Sequence, residues 1–231
     1  MAPNYPCEFV RTESLKEKYG SKVTTILNLF YSGYTPDWFY IRQPGKSTLR
    51  GPMGDYHNKT IFEAWLANVN KSEVLSLVRD VKYNSSKHIP SLTESLLNLK
   101  QREHDVDVAI SDYLEAHLMD KRLFFTFNHP TLELLTEYSE RLLVYLGINQ
   151  LNQKIELAEP LNQYIPDINV GLPFTFERTG KYVGNKVLEI NGWDVLAKYR
   201  GTYNLEGIVD LYYQIYDTNR DKLILLYGKK P

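Results

Sequence analysis

Three short stretches hold the residue types that proton transfer and ligand binding require. In Phe127-Asn128-His129-Pro130, a histidine and an asparagine sit between an apolar run and an amphipathic one. Imidazole titrates near neutrality and can take a proton from a hydroxyl. An asparagine amide can donate to a developing oxyanion. His129 and Asn128 are therefore candidate catalytic groups, although either could instead cap the following helix. Tyr31-Ser32-Gly33-Tyr34-Thr35-Pro36-Asp37 follows another apolar run. Gly33 lets a ligand approach the backbone and Asp37 can accept hydrogen bonds, but the same residues suit an ordinary turn. Gly51-Pro52-Met53-Gly54-Asp55-Tyr56-His57 lies just ahead of a helix. Glycines there can expose N–H groups to an anion. Arg42, Lys46 and Arg50 precede it and could meet phosphates. His57 could shuttle protons or be a structural histidine.

Other motifs are missing or point elsewhere. Gly45-Lys46-Ser47 lacks the upstream glycine of a Walker loop and opens no helix. No Gly-x-Ser-x-Gly elbow and no HExxH occurs. His88, His104 and His117 show no ligand spacing, so no metal site is expected. Asp105 and Asp107 flank a helix start and read as a solvated face. Cys7 is the only cysteine, which excludes an intramolecular disulfide and lacks an activating helix.

These groups need elements to hold them. A helical turn at Ser14–Tyr19 should end at Gly20. Residues Lys22–Tyr31 are β-branched and aromatic and predict a strand buried on both faces, as inside a parallel sheet. Ser32–Lys59 predicts a long structured loop with a short extended piece at Trp38–Ile41. Helices are expected over Thr60–Asn68, from an Asn70 cap to Asp80, after a Ser91-Leu92-Thr93-Glu94 capping box to His104, and over Val106–Met119. Leu123–Phe127 predicts a second strand, with Pro130 at the first position of a helix ending at Gly147. Residues 149–181 look irregular, Asn204 should cap a last helix, and Leu223–Tyr227 is a candidate terminal strand. The expected class is helix-rich α/β, with strands either hidden in the irregular parts or outside this chain.

Composition agrees with one soluble globular domain. The chain has 231 residues and a formal net charge of -1, a balance that argues against a nucleic-acid binder. No apolar run approaches the roughly 18–20 residues of a membrane span. No signal peptide is visible, which implies a cytoplasmic location. The 18 tyrosines suit half-buried surfaces such as saccharide sites or protein interfaces, or plain amphipathic packing.

Taken in order, these segments resemble the WcbI-type polysaccharide biosynthesis family, described as acetyltransferases. The likeness rests on Phe30–Asp37 with Tyr40, on Pro52–His57, on Phe125–Pro130 with its leucine-rich helix, and on Tyr164-Ile165-Pro166-Asp167-Ile168. It spans roughly residues 20–175. The resemblance implies acetyl transfer from coenzyme A to a sugar hydroxyl in capsule or surface-polysaccharide assembly. His129 would be the base and Asn128 the oxyanion or substrate donor. Arg42, Lys46, Arg50, Gly54 and His57 would meet the coenzyme. Gly33, Tyr34, Asp37, Tyr40 and Tyr56 would meet the saccharide precursor, with Tyr34 and Tyr40 stacking on adenine or sugar. Family members open with a strand ending in Gly-Asn-Cys-Gln, part of a Rossmann-like first half. Residues 1–19 do not match it. The expectation is an incomplete or divergent single domain with a partial Rossmann-like sheet, flanking helices and an irregular C-terminal cap over residues 149–231. A non-catalytic saccharide- or coenzyme-binding remnant, a transferase using a nucleotide-sugar or sulfate donor, and a homo-oligomer stay open.

Overall fold

The computed structural model describes residues 11–45, 47–149 and 157–228. Cys7 and Lys46 lie outside them. Helix α1 spans Thr12–Tyr19 and ends at Gly20 with φ 59°, as the sequence predicts. The following apolar run is extended but is not a strand buried on both faces. Leu27 and Tyr31 are buried, whereas Ile26 is 55% exposed and Phe30 39% exposed. The period-two alternation buries one side only, and the β-branched content disguises it. Its parallel pairing is one isolated bridge, Ile26 to Val108.

The long loop carries β1, Trp38–Tyr40, paired antiparallel with β2, Tyr56–Asn58, so that Tyr40 faces Tyr56. Asn58 then caps α2, Lys59–Leu66, by accepting from the Ile61 N–H at 3.0 Å. Asn70 caps α3, Lys71–Arg79, in the same way. Such caps each contribute about 1 kcal/mol.

Helix α4 runs from Val81 to Glu103, straight through Pro90. The expected start at Ser91–Glu94 is therefore mid-helix. Asp80 supplies the cap instead, at 2.9 Å from the Tyr83 N–H. Helix α5, Ser111–His117, is shorter than its apolar spacing implied. Strand β3, Phe124–Thr126, pairs antiparallel with β4, His129–Pro130. Pro130 thus sits opposite Phe124 rather than in a helix, and Thr131 caps α6, Leu132–Tyr145.

Residues 157–181 are irregular, as expected. Beyond them, β5, Tyr182–Asn191, and β6, Asp194–Tyr203, form the longest ladder. Its two-residue turn, Gly192-Trp193, holds Gly192 at φ 58° in the first central position, where a tight hairpin favours glycine. Asn204 caps α7, Leu205–Thr218, and α8 spans Arg220–Tyr227 where a terminal strand was expected. Leu223 and Tyr227 lie one helical turn apart and both pack on the core, which favours helix there.

The class is mixed helix with small sheets. Among the described residues there are three separate two-stranded antiparallel sheets and no parallel Rossmann-like sheet. Two cores fill the molecule. The first joins the β1–β2 pair and α2 to α7, with Ile208, Tyr212, Ile215 and Tyr216 fully buried. The C-terminal segment is thus half of a core rather than a cap on one. The second core packs Leu27, Tyr31 and Tyr34 against Leu92 and Leu99 of α4, Leu114 and Phe124.

His57 sits inside the first core at 0% exposure. The Leu49 carbonyl can only accept, so Nε2–H donates to it at 2.9 Å, and Nδ1 accepts from the Tyr216 hydroxyl at 3.0 Å. Burial pushes its pKa down to about 4, and the Leu49 bond opposes only part of that. The unfolded chain therefore takes up a proton near pH 6.5 that the folded ring refuses. Stability is full above that pH and is lost on acidification. About 2 kcal/mol should disappear between about pH 7 and pH 5, read as a falling urea midpoint. His57→Gln keeps a donor and an acceptor but cannot titrate, and it should flatten most of that slope.

Candidate active site

The turn from β3 to β4 places Phe127 and Asn128 at a bend, with His129 entering the next strand. Phe127 is buried and Asn128 is exposed. The Phe127 ring lies 5.1 Å from Tyr56, 5.0 Å from Tyr40 and 5.3 Å from Phe30. Its carbonyl accepts the Tyr31 N–H at 2.8 Å. Packing therefore fixes the base of the turn while the polar tip faces outward.

Tyr56 reaches that tip from β2. Its hydroxyl donates to Asn128 Oδ1 at 2.6 Å and lies 3.2 Å from His129 Nε2. The Thr126 hydroxyl also donates to Asn128 Oδ1, at 3.3 Å. With the phenol proton committed to Asn128, the partners assign His129 as the Nε2–H tautomer, donating to the Tyr56 oxygen. Burial raises the Tyr56 pKa well above that of an ordinary phenol, so the group stays protonated.

The His129 ring is held between aromatic neighbours. Tyr56 meets it edge-on at 5.7 Å, and Tyr164 stacks on it at 6.3 Å. Burial lowers its pKa below 6.5, partly offset by the Leu161 carbonyl, so the ring is neutral at pH 7. Nδ1 is buried without a hydrogen bond of ordinary geometry. An uncharged imidazole has the electronic form that a general base requires.

Cationic groups edge this cluster. The Arg42 guanidinium lies 5.1 Å over the Tyr40 ring, and Tyr40 packs 5.3 Å from Tyr56. Arg50 pairs with Asp55 at 3.4 Å. Both lie close enough to act electrostatically on Tyr164, whose pKa is raised chiefly by burial. Gly54, at φ 64°, makes room for Tyr164: a Cβ there would lie 2.5 Å from its ring. Arg122 ties the two sides together by donating to the carbonyls of Phe124, Phe125 and Pro166.

The structure thus brings together Tyr40, Arg42, Arg50, Gly54, Tyr56, Asn128 and His129. It holds four other sequence candidates away from solvent. Tyr34 is fully buried in the second core and donates to the Lys121 carbonyl at 2.7 Å, so its ring is not free to stack. Asp37 is buried and accepts from Asn58 Nδ2 at 2.7 Å and Asn169 Nδ2 at 3.2 Å. Gly33 is buried where a Cβ would fall 2.1 Å from the Tyr31 hydroxyl, which makes it a packing glycine. His57 is the core strut described above. Lys46 falls outside the described residues. Tyr164 was not among the sequence candidates, although it begins the last stretch that carries the family likeness.

No group of three or more His, Cys, Asp or Glu side chains among the described residues is placed to hold a metal ion. No helix among them is long and apolar enough to cross a membrane. Residues 2–151 match the family described as the polysaccharide biosynthesis enzyme WcbI. A solved structure of WcbI superposes with a TM-score of 0.60 at 20% identity, over 85% of this chain and 68% of that one. That protein is described as a novel polysaccharide biosynthesis enzyme, in native form without a disulfide bond between coenzyme A and one of its cysteines. At this identity the likeness concerns the fold alone. No curated protein sequence matches the chain.

Gly54→Ala tests how the ring pair is held. Alanine disfavours φ 64°, and its methyl would strike Tyr164. The expected cost is about 1–3 kcal/mol, measured as a lower urea midpoint. A shifted His129 ring-proton resonance should accompany it.

Proposed function

The chain belongs to the WcbI family of polysaccharide biosynthesis enzymes, and on that premise we propose that it transfers an acetyl group from coenzyme A to a saccharide hydroxyl. What carries this reading is the convergence of Tyr56, Asn128 and His129 on one exposed turn, with a neutral imidazole at its centre. The acceptor in this reading is a capsule or surface-polysaccharide precursor, and the compartment is the cytoplasm.

The residues fit such a donor. Arg42 and Arg50 are exposed on either side of the aromatic cluster. The Arg50–Asp55 pair is solvent-exposed and worth at most about 1 kcal/mol, so a phosphate can replace the aspartate. Arg50 also lines a pocket of about 490 Å³ with Trp193, Thr48 and Ser47, where an indole face could meet an adenine. Bound acetyl-coenzyme A would supply the acyl group.

The chain's own groups would then act on the acceptor. Acceptor binding would need the Nδ1–H tautomer of His129, with the Tyr56 oxygen released from Nε2; that nitrogen would then carry the lone pair and take the proton of the sugar hydroxyl. Tyr56 holds that ring by its edge. The Asn128 amide N–H donates to the acyl oxygen as charge develops there.

Donor binding is the direct test. Coenzyme A or its acetyl form at about a hundred times Kd should add about 2.7 kcal/mol, raising Tm by about 5–10 °C. Nucleotide sugars and sulfate should not. No shift with either coenzyme form overturns the acetyl-transfer reading. His129→Ala should lower turnover by about 10²–10⁴-fold. Turnover kept within about tenfold would remove the base assignment.

A further inference from the structure

Beside Phe30, whose ring packs on Phe127, lies a pocket that the reaction scheme does not use. It has a volume of about 250 Å³ and opens between the Phe30–Pro36 segment and α4. One wall is Phe30, Tyr31 and Ser32. The other is Ser91, Glu94, Ser95 and Asn98. Those four positions are spaced i, i+3, i+4 and i+7 and so share one helical face. Leu92 and Leu99 of the same helix are buried in the second core. A polar stripe backed by an apolar one is therefore aimed at the pocket.

We propose that this pocket binds one neutral monosaccharide unit, the ring of the acceptor or its neighbour in the precursor. The inference rests on the saccharide being the acceptor of the reaction above. Volume comes first. Pockets for drug-sized ligands run to about 300–1,000 Å³, so about 250 Å³ takes a single ring rather than a coenzyme or a chain of sugars.

Chemistry comes second. A sugar presents an apolar face of C–H bonds and a rim of hydroxyls that both donate and accept. Phe30 offers an apolar ring, fixed by Phe127 at 5.3 Å on one side and the Arg102 guanidinium at 5.7 Å on another. Ser32 and Ser95 share one hydrogen bond at 2.8 Å, which leaves one of their two protons free. Asn98 Oδ1 accepts from Arg102 Nε at 3.1 Å, so its amide N–H groups remain to donate. Glu94 adds an exposed acceptor. The Tyr31 hydroxyl is buried without a partner.

Charge decides between a neutral and an anionic ligand. Among the described residues, Glu94 is the one ionic group lining the pocket. Arg102, the nearby cation, donates to the Asn28 and Phe30 carbonyls and to Asn98. A phosphate, sulfate or uronate would meet a carboxylate with no free cation among the described residues of the lining to offset it.

Saturation-transfer NMR on the full chain tests the assignment. The probes are glucose, galactose, mannose and N-acetylglucosamine, each at about 10 mM, against glucuronate and sulfate. At least one neutral sugar should show saturation transfer, and the anions should compete weakly or not at all. Asn98→Leu, an exposed helical position, should abolish the signal. Glu94→Gln should weaken binding about tenfold, as expected on losing a charge-assisted acceptor. Both variants should keep the coenzyme A thermal shift. A coenzyme shift with no neutral sugar bound overturns the pocket and leaves the donor reading standing. Sugar binding without a coenzyme shift does the reverse. A sugar signal unchanged in Asn98→Leu also overturns the pocket.

Discussion

The placement of Phe127 is the constraint on which the other features depend. Its ring is buried against Tyr40 and Tyr56 in the first core. Phe124, three residues earlier, is buried in the second. One short strand and its turn therefore join the two interiors. The Phe127 carbonyl anchors Tyr31 at the same point. Because an aromatic ring buries a large area and tolerates little displacement, the polar tip beyond it inherits a fixed position. Asn128 and His129 are thus oriented by apolar packing behind them and by Tyr56 beside them. The same ring, through Phe30, backs one wall of the pocket that opens against α4.

The abundance of tyrosine resolves mostly into core packing with satisfied hydroxyls. Tyr212 donates to the Tyr56 carbonyl at 2.6 Å, Tyr213 to the Val69 carbonyl at 2.8 Å, and Tyr138 to the Val108 carbonyl at 3.1 Å. Each ring contributes apolar area, and each hydroxyl serves a loop carbonyl that would otherwise lie buried and unpaired. A second polar set works alike. Asp37, Asn58, Asn84 and Asn169 form one buried chain of bonds that binds the long loop, α4 and the irregular segment. His88 faces this set, and burial lowers its pKa although Asp37 opposes the shift.

Local chemistry was legible in the sequence wherever it was self-contained. Asn70, Asn204 and Gly147 mark helix ends through their own side chains or their tolerance of positive φ, and the structure uses each of them so. The end of the strand at Phe127 was readable, but the residues after it predict a helix from Pro130 rather than a turn into β4. Long-range context decided the rest. The Ser91–Glu94 box is a valid cap in isolation, but Asp80 had already started the helix. Pro130 could open a helix, but its pairing with Phe124 competes and wins. Gly33 and Asp37 carried ligand-like chemistry, yet Tyr31 and two asparagines turn both inward. The turn at Gly192 was legible by its residues and was passed over beside the irregular stretch before it.

Among the described residues the three small sheets share no strand, so no continuous backbone ladder joins them. Continuity between the molecule's halves is carried by interlocked rings, by side-chain bonds and by single backbone bonds such as that from the Tyr31 N–H to the Phe127 carbonyl. A slip in strand alignment in one hairpin therefore has no neighbour to propagate into, and errors of that kind remain local. A disturbance that passes between the two interiors therefore passes through such contacts, and the bend at Phe127 is one of them.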